Sequence, residues 1–267
     1  MKKIVVAGLG EIGNPIFKLI SKNFPCIGYD LNPNLLNKKK IEAYKDLKTF
    51  FLHICIPFND NFISGVIELY KKFKPEIIVI HSTVSPYTTK SLQKQIPIPI
   101  IYSATRGVHK RMLKDLRRYS KFFAIEKNAP RAKWASTEFK KLMKKCHIKT
   151  NQMSNPLTLE LAKIVVDTSY YGWLINYAQL SNLIARKHKV NYDEMWTFSD
   201  EIHKFIKNRP KMFPGFIGGH CVIPNLLLIN EPELYQIDKI NNMYYKKVKD
   251  AKIIAKKYTK GKPSYNS

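Results

Sequence analysis

Acidic side chains are scarce in this chain: 20 Asp and Glu stand against 46 Lys and Arg in 267 residues, a formal net charge of +26. An excess of that size creates a positive field that attracts phosphates, whether of nucleotide substrates or of nucleic acid. The basic residues are spread out, in "NKKK" (37–40), "HKRMLKDLRR" (109–118), "KKLMKKCHIK" (140–149) and a Lys-rich end. No nucleic-acid reader motif accompanies them, which favours solvated lysines over a dedicated nucleic-acid interface. Cysteine is also sparse. Cys26, Cys55, Cys146 and Cys221 are widely scattered with no CxxC pair, so neither a zinc ribbon nor a disulfide framework is expected, and no metal site. No apolar run is long enough to span a bilayer. The opening "MKKIVVAGLGEIG" is apolar only briefly and reads as a first strand, not a signal peptide. The expectation is a reduced, cytoplasmic protein without a membrane partner.

What is present is a hydrophobic content of 45%, enough for a packed core. Short apolar runs at 3–8, 51–58, 76–82, 98–103 and 121–125, with "CIGYD" ending on Asp30, read as strands. "GLGEIGNPIFKLISKNF", "FISGVIELYKKF" and "TEFKKLMKKC" read as helices between them. This alternation predicts an α/β fold with a Rossmann-type, doubly wound parallel sheet over 1–150. After about Asn151 the texture changes. Pro156 to Lys189 carries apolar residues at helical spacing without an internal proline, which predicts one long helix buried on more than one side. "NYDEMWTFSDEIHKFIKN" predicts a second helix, and a basic helix follows from about Glu231. The expected layout is a dinucleotide-binding domain (1–150), an all-helical domain (151–250) and a basic tail (251–267).

Gly8-Leu9-Gly10-Glu11-Ile12-Gly13 fits GxGxxG between a strand and a helix. The glycines permit the tight turn, the approach of a pyrophosphate and close strand–helix packing, with the phosphate on the helix amino end. Asp30 ends the second strand, where a carboxylate accepts ribose hydroxyls and repels a 2′-phosphate, favouring NAD over NADP. S-adenosylmethionine methyltransferases use a similar glycine turn and ribose acid, and that alternative cofactor stays open. "HSTVSPYTT" follows a strand where the sheet presents its carboxyl edge. Ser82 and Thr83 are candidate donors to phosphate or ribose, against a plain hydroxyl-rich turn with Thr88 or Thr89 capping the next helix. Lys163 and Asp167 share a helix face at i,i+4, with Thr168 beside them; a surface ion pair is the simpler reading. Late in the chain "FPGFIGGHCVIPN" places Gly215, Gly218 and Gly219 before His220 and Cys221. Glycine backbone leaves room beside a thiol, and a thiolate needs cationic neighbours such as Lys163, but on the residues alone a structural thiol is the commoner reading.

Taken in order, GxGxxG, "STVSPYTT", "LELAKIVVDT" and "FPGFIGGHC" resemble the UDP-glucose/GDP-mannose dehydrogenase family over nearly the whole chain. The resemblance implies an NAD-dependent oxidation of a sugar nucleotide or smaller anionic substrate. It implies Cys221 as the nucleophile toward an aldehyde, Lys163 as the group polarising the reacting oxygen, and a homodimer built by the helix 156–189. Relative to the family, the expectation is a short form without the C-terminal nucleotide-sugar domain. Ala104-Thr105 stands at the hydrolytic glutamate, Asp167 at a helix asparagine, Asn225 at an acid after the cysteine, and Tyr87 at a glycine. Asp167 is therefore a candidate base, and Thr105, Arg106, His109, Thr168, Gly218, Gly219 and His220 are candidate substrate contacts. Two other functions remain. One is a methyltransferase on a dehydrogenase-like scaffold, similar in size and layout to enzymes that methylate a pyridinol in iron-guanylylpyridinol cofactor assembly. The other is a non-catalytic nucleotide- or nucleic-acid-binding protein.

Overall fold

The computed structural model describes residues 1–219 and 221–248, apart from the His109 side chain; the basic tail expected over 251–267 lies outside the described residues. Contacts divide the chain into two compact units, residues 1–163 and the residues from Ile164 onward.

In the first unit the strands are β1 (Lys3–Ala7), β2 (Cys26–Tyr29), β3 (Thr49–Ile54), β4 (Ile77–Ile80), β5 (Ile100–Tyr102), β6 (Lys121–Ile125) and β7 (Thr150–Gln152). They form one sheet in the order β2-β1-β3-β4-β5-β6-β7. The connecting helices are α1 (Gly13–Ile20), α2 (Lys38–Tyr44), α3 (Phe62–Phe73), α4 (Thr88–Gln93), α5 (Met112–Arg118), α6 (Ala132–Lys145) and α7 (Pro156–Leu161). Because successive strand residues point to opposite faces, each strand feeds two cores. Ile4, Val6, Ile77 and Val79 pack beneath α1, α5 and α6. Val5, Ala7, Ile78 and Ile80 pack beneath α3, α4 and α7. Strands apolar on both faces are what a parallel sheet covered by helices requires.

The sheet is not parallel throughout. β5 and β6 pair antiparallel, Ile101 opposite Ile125 and Tyr102 opposite Ala124. The connecting helix α5 has 7 residues. The chain re-enters the sheet at the edge it left and runs back down. The 14 residues of α6 then carry it across for β7 to pair parallel with β6. Lys121, the first residue of β6, thereby stands at the sheet's carboxyl edge.

The helix expected over 156–189 is helical from Pro156 to Lys187, but not α-helical throughout. Between α7 and α8 (Tyr170–Lys187) lies a π-helical segment, Ala162–Ser169. Its start is well defined: Asn155 Oδ1 accepts from Thr158 N at 2.9 Å, with Pro156 in the first turn. The widened turn has local causes. The Ser169 hydroxyl donates to Ile164 O at 2.7 Å, five residues back, and Ile164, Val165, Val166 and Thr168 are β-branched residues with weak α preference. The buried side of α8 also differs from expectation. It is lined by small and polar residues (Gly172, Asn176, Ala178, Gln179, Asn182, Ala185), while Tyr170, Tyr171, Trp173, Tyr177 and Ile184 are exposed.

Among the described residues the second unit contains no strand; its other helices are α9 (Tyr192–Ile206), α10 (Val222–Leu226) and α11 (Gln236–Lys247). Gly172 sets the close approach within this unit. A Cβ there would meet Ile237 Cγ2 at 2.9 Å and Val222 Cγ1 at 3.0 Å.

Candidate functional site

With the strand order β2-β1-β3-β4, the connections leave β1 in one direction and β3 in the other. The crevice at such a switch point, at the carboxyl ends of the strands, is where open α/β sheets bind ligands. The GxGxxG turn lies there, and its three glycines have three different reasons to be glycine. Gly8 has φ +87°, and a Cβ would stand 2.7 Å from Cys55 O. Gly13 lies so close to the turn's own backbone that a Cβ would sit 1.6 Å from Gly8 O. At Gly10 a Cβ would meet nothing within 4 Å, so the space on that side is open. Ile12 is the N-cap of α1, and no side chain caps that helix end. An open face over uncapped backbone N–H groups is a cradle that a pyrophosphate fits.

The Asp30 carboxylate braces this turn, accepting from Leu9 N (2.6 Å) through Oδ2 and from Asn32 N (2.9 Å) through Oδ1. Each oxygen keeps a second lone pair for a ribose hydroxyl. Glu11 is exposed and Ile12 half-buried against the α1 core. Ser82 departs from its expected role. Its one hydroxyl proton is committed to Ile56 O at 2.6 Å, so it offers a ligand only lone pairs. Thr83 beside it is half-buried.

Neither Thr88 nor Thr89 is the N-cap of α4. That position belongs to Tyr87, in the left-handed region at φ +69°, where an L side chain costs roughly 1 kcal/mol. The cap comes instead from Glu160 on α7. Its carboxylate accepts from Tyr87 N (2.8 Å), Thr89 N (2.9 Å) and the Thr89 hydroxyl (2.7 Å). The "PYTT" and "LELAK" stretches are therefore two halves of one buried clamp.

At the carboxyl edge of β5, Thr105 is buried, its N–H donating to His81 O at 3.3 Å. Arg106 is exposed but held flat, donating to Ser120 O at 2.9 Å with its guanidinium 4.7 Å from the Phe122 ring centroid. His109 begins a single 3-10 turn. Beneath this edge lies a group of polar residues, His53, His81 and Lys121, of which the sequence reading contains only His81, as the start of "HSTVSPYTT". His81 Nδ1 lies 3.1 Å from Ser103 O, which only accepts, so Nδ1 carries the proton and Nε2 is left as acceptor for His53 Nδ1–H at 2.8 Å. His53 Nε2 then has no partner among the described residues. Burial, reinforced by Lys121, holds His53 down to about 3 and His81 well below the ordinary imidazole range, so both rings are neutral. Lys121 is signalled in the sequence only as a cation opening an apolar strand.

Lys163 is half-buried and ends the first unit; Asp167 (exposed) and Thr168 (buried) belong to the second, and all three lie in the π-helical segment rather than on an α-helical face. In the second unit Cys221 is exposed and is the N-cap residue of α10. Gly218 and Gly219 before it are exposed, Gly219 at φ +91° with open space where a Cβ would point. His220 lies outside the described residues. A buried amide network fixes the loop leading to them. Gln179 Nε2 donates to Gly215 O (2.7 Å) and Asn241 Oδ1 (2.9 Å), and Asn241 pairs with both Ile217 N (2.8 Å) and Ile217 O (3.1 Å). Among the described residues no group of three His, Cys, Asp or Glu could hold a metal ion, and no helix is long and apolar enough to cross a membrane.

The architecture is a Rossmann-type fold with a helical second part. No family model matches the chain, and no curated protein matches its sequence. Solved structures do match in fold. UDP-D-ManNAc dehydrogenase from Pyrococcus horikoshii is 18% identical, with 91% of this chain and 68% of that one covered and a TM-score of 0.75. The Staphylococcus aureus UDP-N-acetyl-mannosamine dehydrogenase Cap5O is also 18% identical, covering 93% and 69% at a TM-score of 0.69. The 3-hydroxyisobutyrate dehydrogenase of Mycobacterium tuberculosis is 13% identical, covering 96% of this chain and 97% of that one at a TM-score of 0.67. The resemblance read from the motifs is thus accompanied by likeness in fold to nucleotide-sugar dehydrogenases, and by likeness in fold to a dehydrogenase of nearly the same extent.

Proposed function

We propose that the chain is an NAD-dependent dehydrogenase oxidising an alcohol of an anionic substrate, a sugar nucleotide or a smaller anionic alcohol. The observation that carries this reading is the open cradle at Gly10, set over the uncapped amino end of α1 and flanked by Asp30. Gly8, Gly10 and Gly13 would hold the pyrophosphate, and Asp30 the ribose. NAD, when bound, supplies hydride acceptance. Cys221 is the proposed nucleophile for an aldehyde: its thiol is exposed beside a glycine pair that leaves space for a substrate carbon. Lys163 and Asp167 are proposed to hold and deprotonate the reacting alcohol.

Thermal-shift and calorimetric titration check the cofactor. NAD is expected to raise the melting temperature, and S-adenosylmethionine to leave it unchanged; the reverse pattern would make the chain a methyltransferase. With NAD bound, Cys221→Ala is expected to abolish four-electron turnover. Unaltered turnover in that variant would leave a two-electron oxidation without covalent capture.

We further propose a homodimer through the second unit. Phe198 (87% exposed) and Phe205 (81%) on α9, and Tyr177 (64%), Tyr170 and Ile184 on the long helix, leave large apolar side chains in water. Sedimentation is expected to give twice the chain mass, and the pair Tyr177→Asp with Ile184→Asp to give single chains. A monomer in the unsubstituted protein would end the proposal.

A further inference from the structure

Lys121 is 6% exposed and its ammonium nitrogen has three neighbours: Ser103 O at 2.7 Å, Ala104 O at 3.2 Å and Thr105 Oγ1 at 2.9 Å. The two carbonyls only accept, so two N–H groups are committed to them. The third neighbour is a hydroxyl, which either donates or accepts. An ammonium has three donors and no lone pair, so Thr105 Oγ1 must accept and its own proton must point elsewhere. A neutral amine has two donors and one lone pair, which matches the same three neighbours equally well if Thr105 donates inward. One arrangement of heavy atoms therefore serves two proton arrangements, and the charge on Lys121 selects between them.

Among the described residues the surroundings give the charged form no counter-ion. The groups acting on Lys121 are Cys55 on the loop after β3, Lys163 after α7 and Arg106 on the loop after β5. On β3 and at the end of β4 stand the neutral rings of His53 and His81. None is a carboxylate. Thr105 keeps 7% of its surface exposed, next to the exposed Arg106, so the edge reaches solvent.

We propose that Lys121 and Thr105 form a protonation-gated donor for a substrate oxyanion, in which the ammonium turns the Thr105 hydroxyl proton outward to the anion and the neutral amine turns it inward. Thr105 touches the anion; Lys121 is a positioning residue acting through it. The inference rests on the anionic-substrate reading above and adds that recognition is proton-linked. Burial, with Lys163 and Arg106 adding to it, brings Lys121 down to about 7, so both forms are populated near neutrality. The sign follows from linkage. The anion binds the protonated form, so affinity is level below about pH 7 and falls as pH rises above it, toward tenfold per unit.

The test uses sulfate, a dianion throughout this range, titrated calorimetrically into the full chain with and without saturating NAD. Sulfate is expected to bind about twentyfold more tightly at pH 6.5 than at pH 8.5, as the competent fraction falls. Thr105→Val is expected to lose this component at both pH values, and Thr105→Ser to keep it. Lys121→Arg, charged at both pH values, is expected to bind with no pH dependence. Sulfate affinity independent of pH in the unsubstituted chain, or unchanged in Thr105→Val, overturns the proposal. Sulfate behaving as expected without any NAD binding would instead count against the dehydrogenase reading alone.

Discussion

Gly13→Ala destabilises the first unit by more than about 4 kcal/mol and abolishes dinucleotide binding. The added Cβ would stand 1.6 Å from Gly8 O and 2.8 Å from Gly8 C, and both obstacles are backbone. No rotamer change relieves them; the β1–α1 turn itself must open, taking Leu9 and the Asp30 hydrogen bond to it. Gly10→Ala is the matched comparison. Its Cβ meets nothing within 4 Å, so the melting temperature is expected to stay within a degree or two while NAD affinity falls at least roughly tenfold, since the methyl group fills the cradle. Calorimetric unfolding and NAD titration of the two variants read both effects. A stable Gly13→Ala, or a Gly10→Ala that binds NAD as before, would refute the placement of the pyrophosphate over this turn.

Glu160→Ala carries the second large effect, expected at roughly 3 kcal/mol. The residue is fully buried, and its loss strands the N–H groups of Tyr87 and Thr89 and the Thr89 hydroxyl at the start of α4. Burial pushes the Glu160 carboxyl above the ordinary carboxylate range, against the hydrogen bonds that favour its charged form. A carboxyl raised in this way binds its proton more tightly folded than unfolded. Its titration therefore makes the native protein lose stability as pH rises through the carboxyl range, with a plateau above it. Urea unfolding of both proteins at one fixed pH measures the substitution; a loss under about 0.5 kcal/mol would show that the clamp on α4 is dispensable.

Much of this was legible in the sequence because it rests on local signals. Strand period, the GxGxxG spacing and Asp30 gave β1, α1 and β2 and the place where they meet. The same cannot hold for features made by residues distant in sequence. Glu160 caps a helix more than 70 residues earlier, and nothing in "LELAK" announces an acceptor for "PYTT". The reversal of β6 is a matter of which strand residues pair, Ile101 with Ile125, and local periodicity carries no information on strand direction. The π-helical segment follows from one serine and a run of β-branched residues inside a pattern that otherwise reads as α. Asn176, Gln179 and Asn241 look like surface polar residues until α8 and α11 pack and bury them against the 215–217 loop.

The reversed strand has one more consequence. In a wholly parallel sheet the ligand edge is furnished by loops, whose lengths drift and whose tips move. Here Lys121 is anchored in the ladder, opposite Thr150 of β7, and reaches the same edge from the start of a strand. Insertions in the 106–119 excursion can lengthen that connection without displacing the amine, because its position is set by strand register and not by loop geometry. The chain thus holds one polar group of this edge with the tolerance of a sheet, while the loop around it stays open to variation.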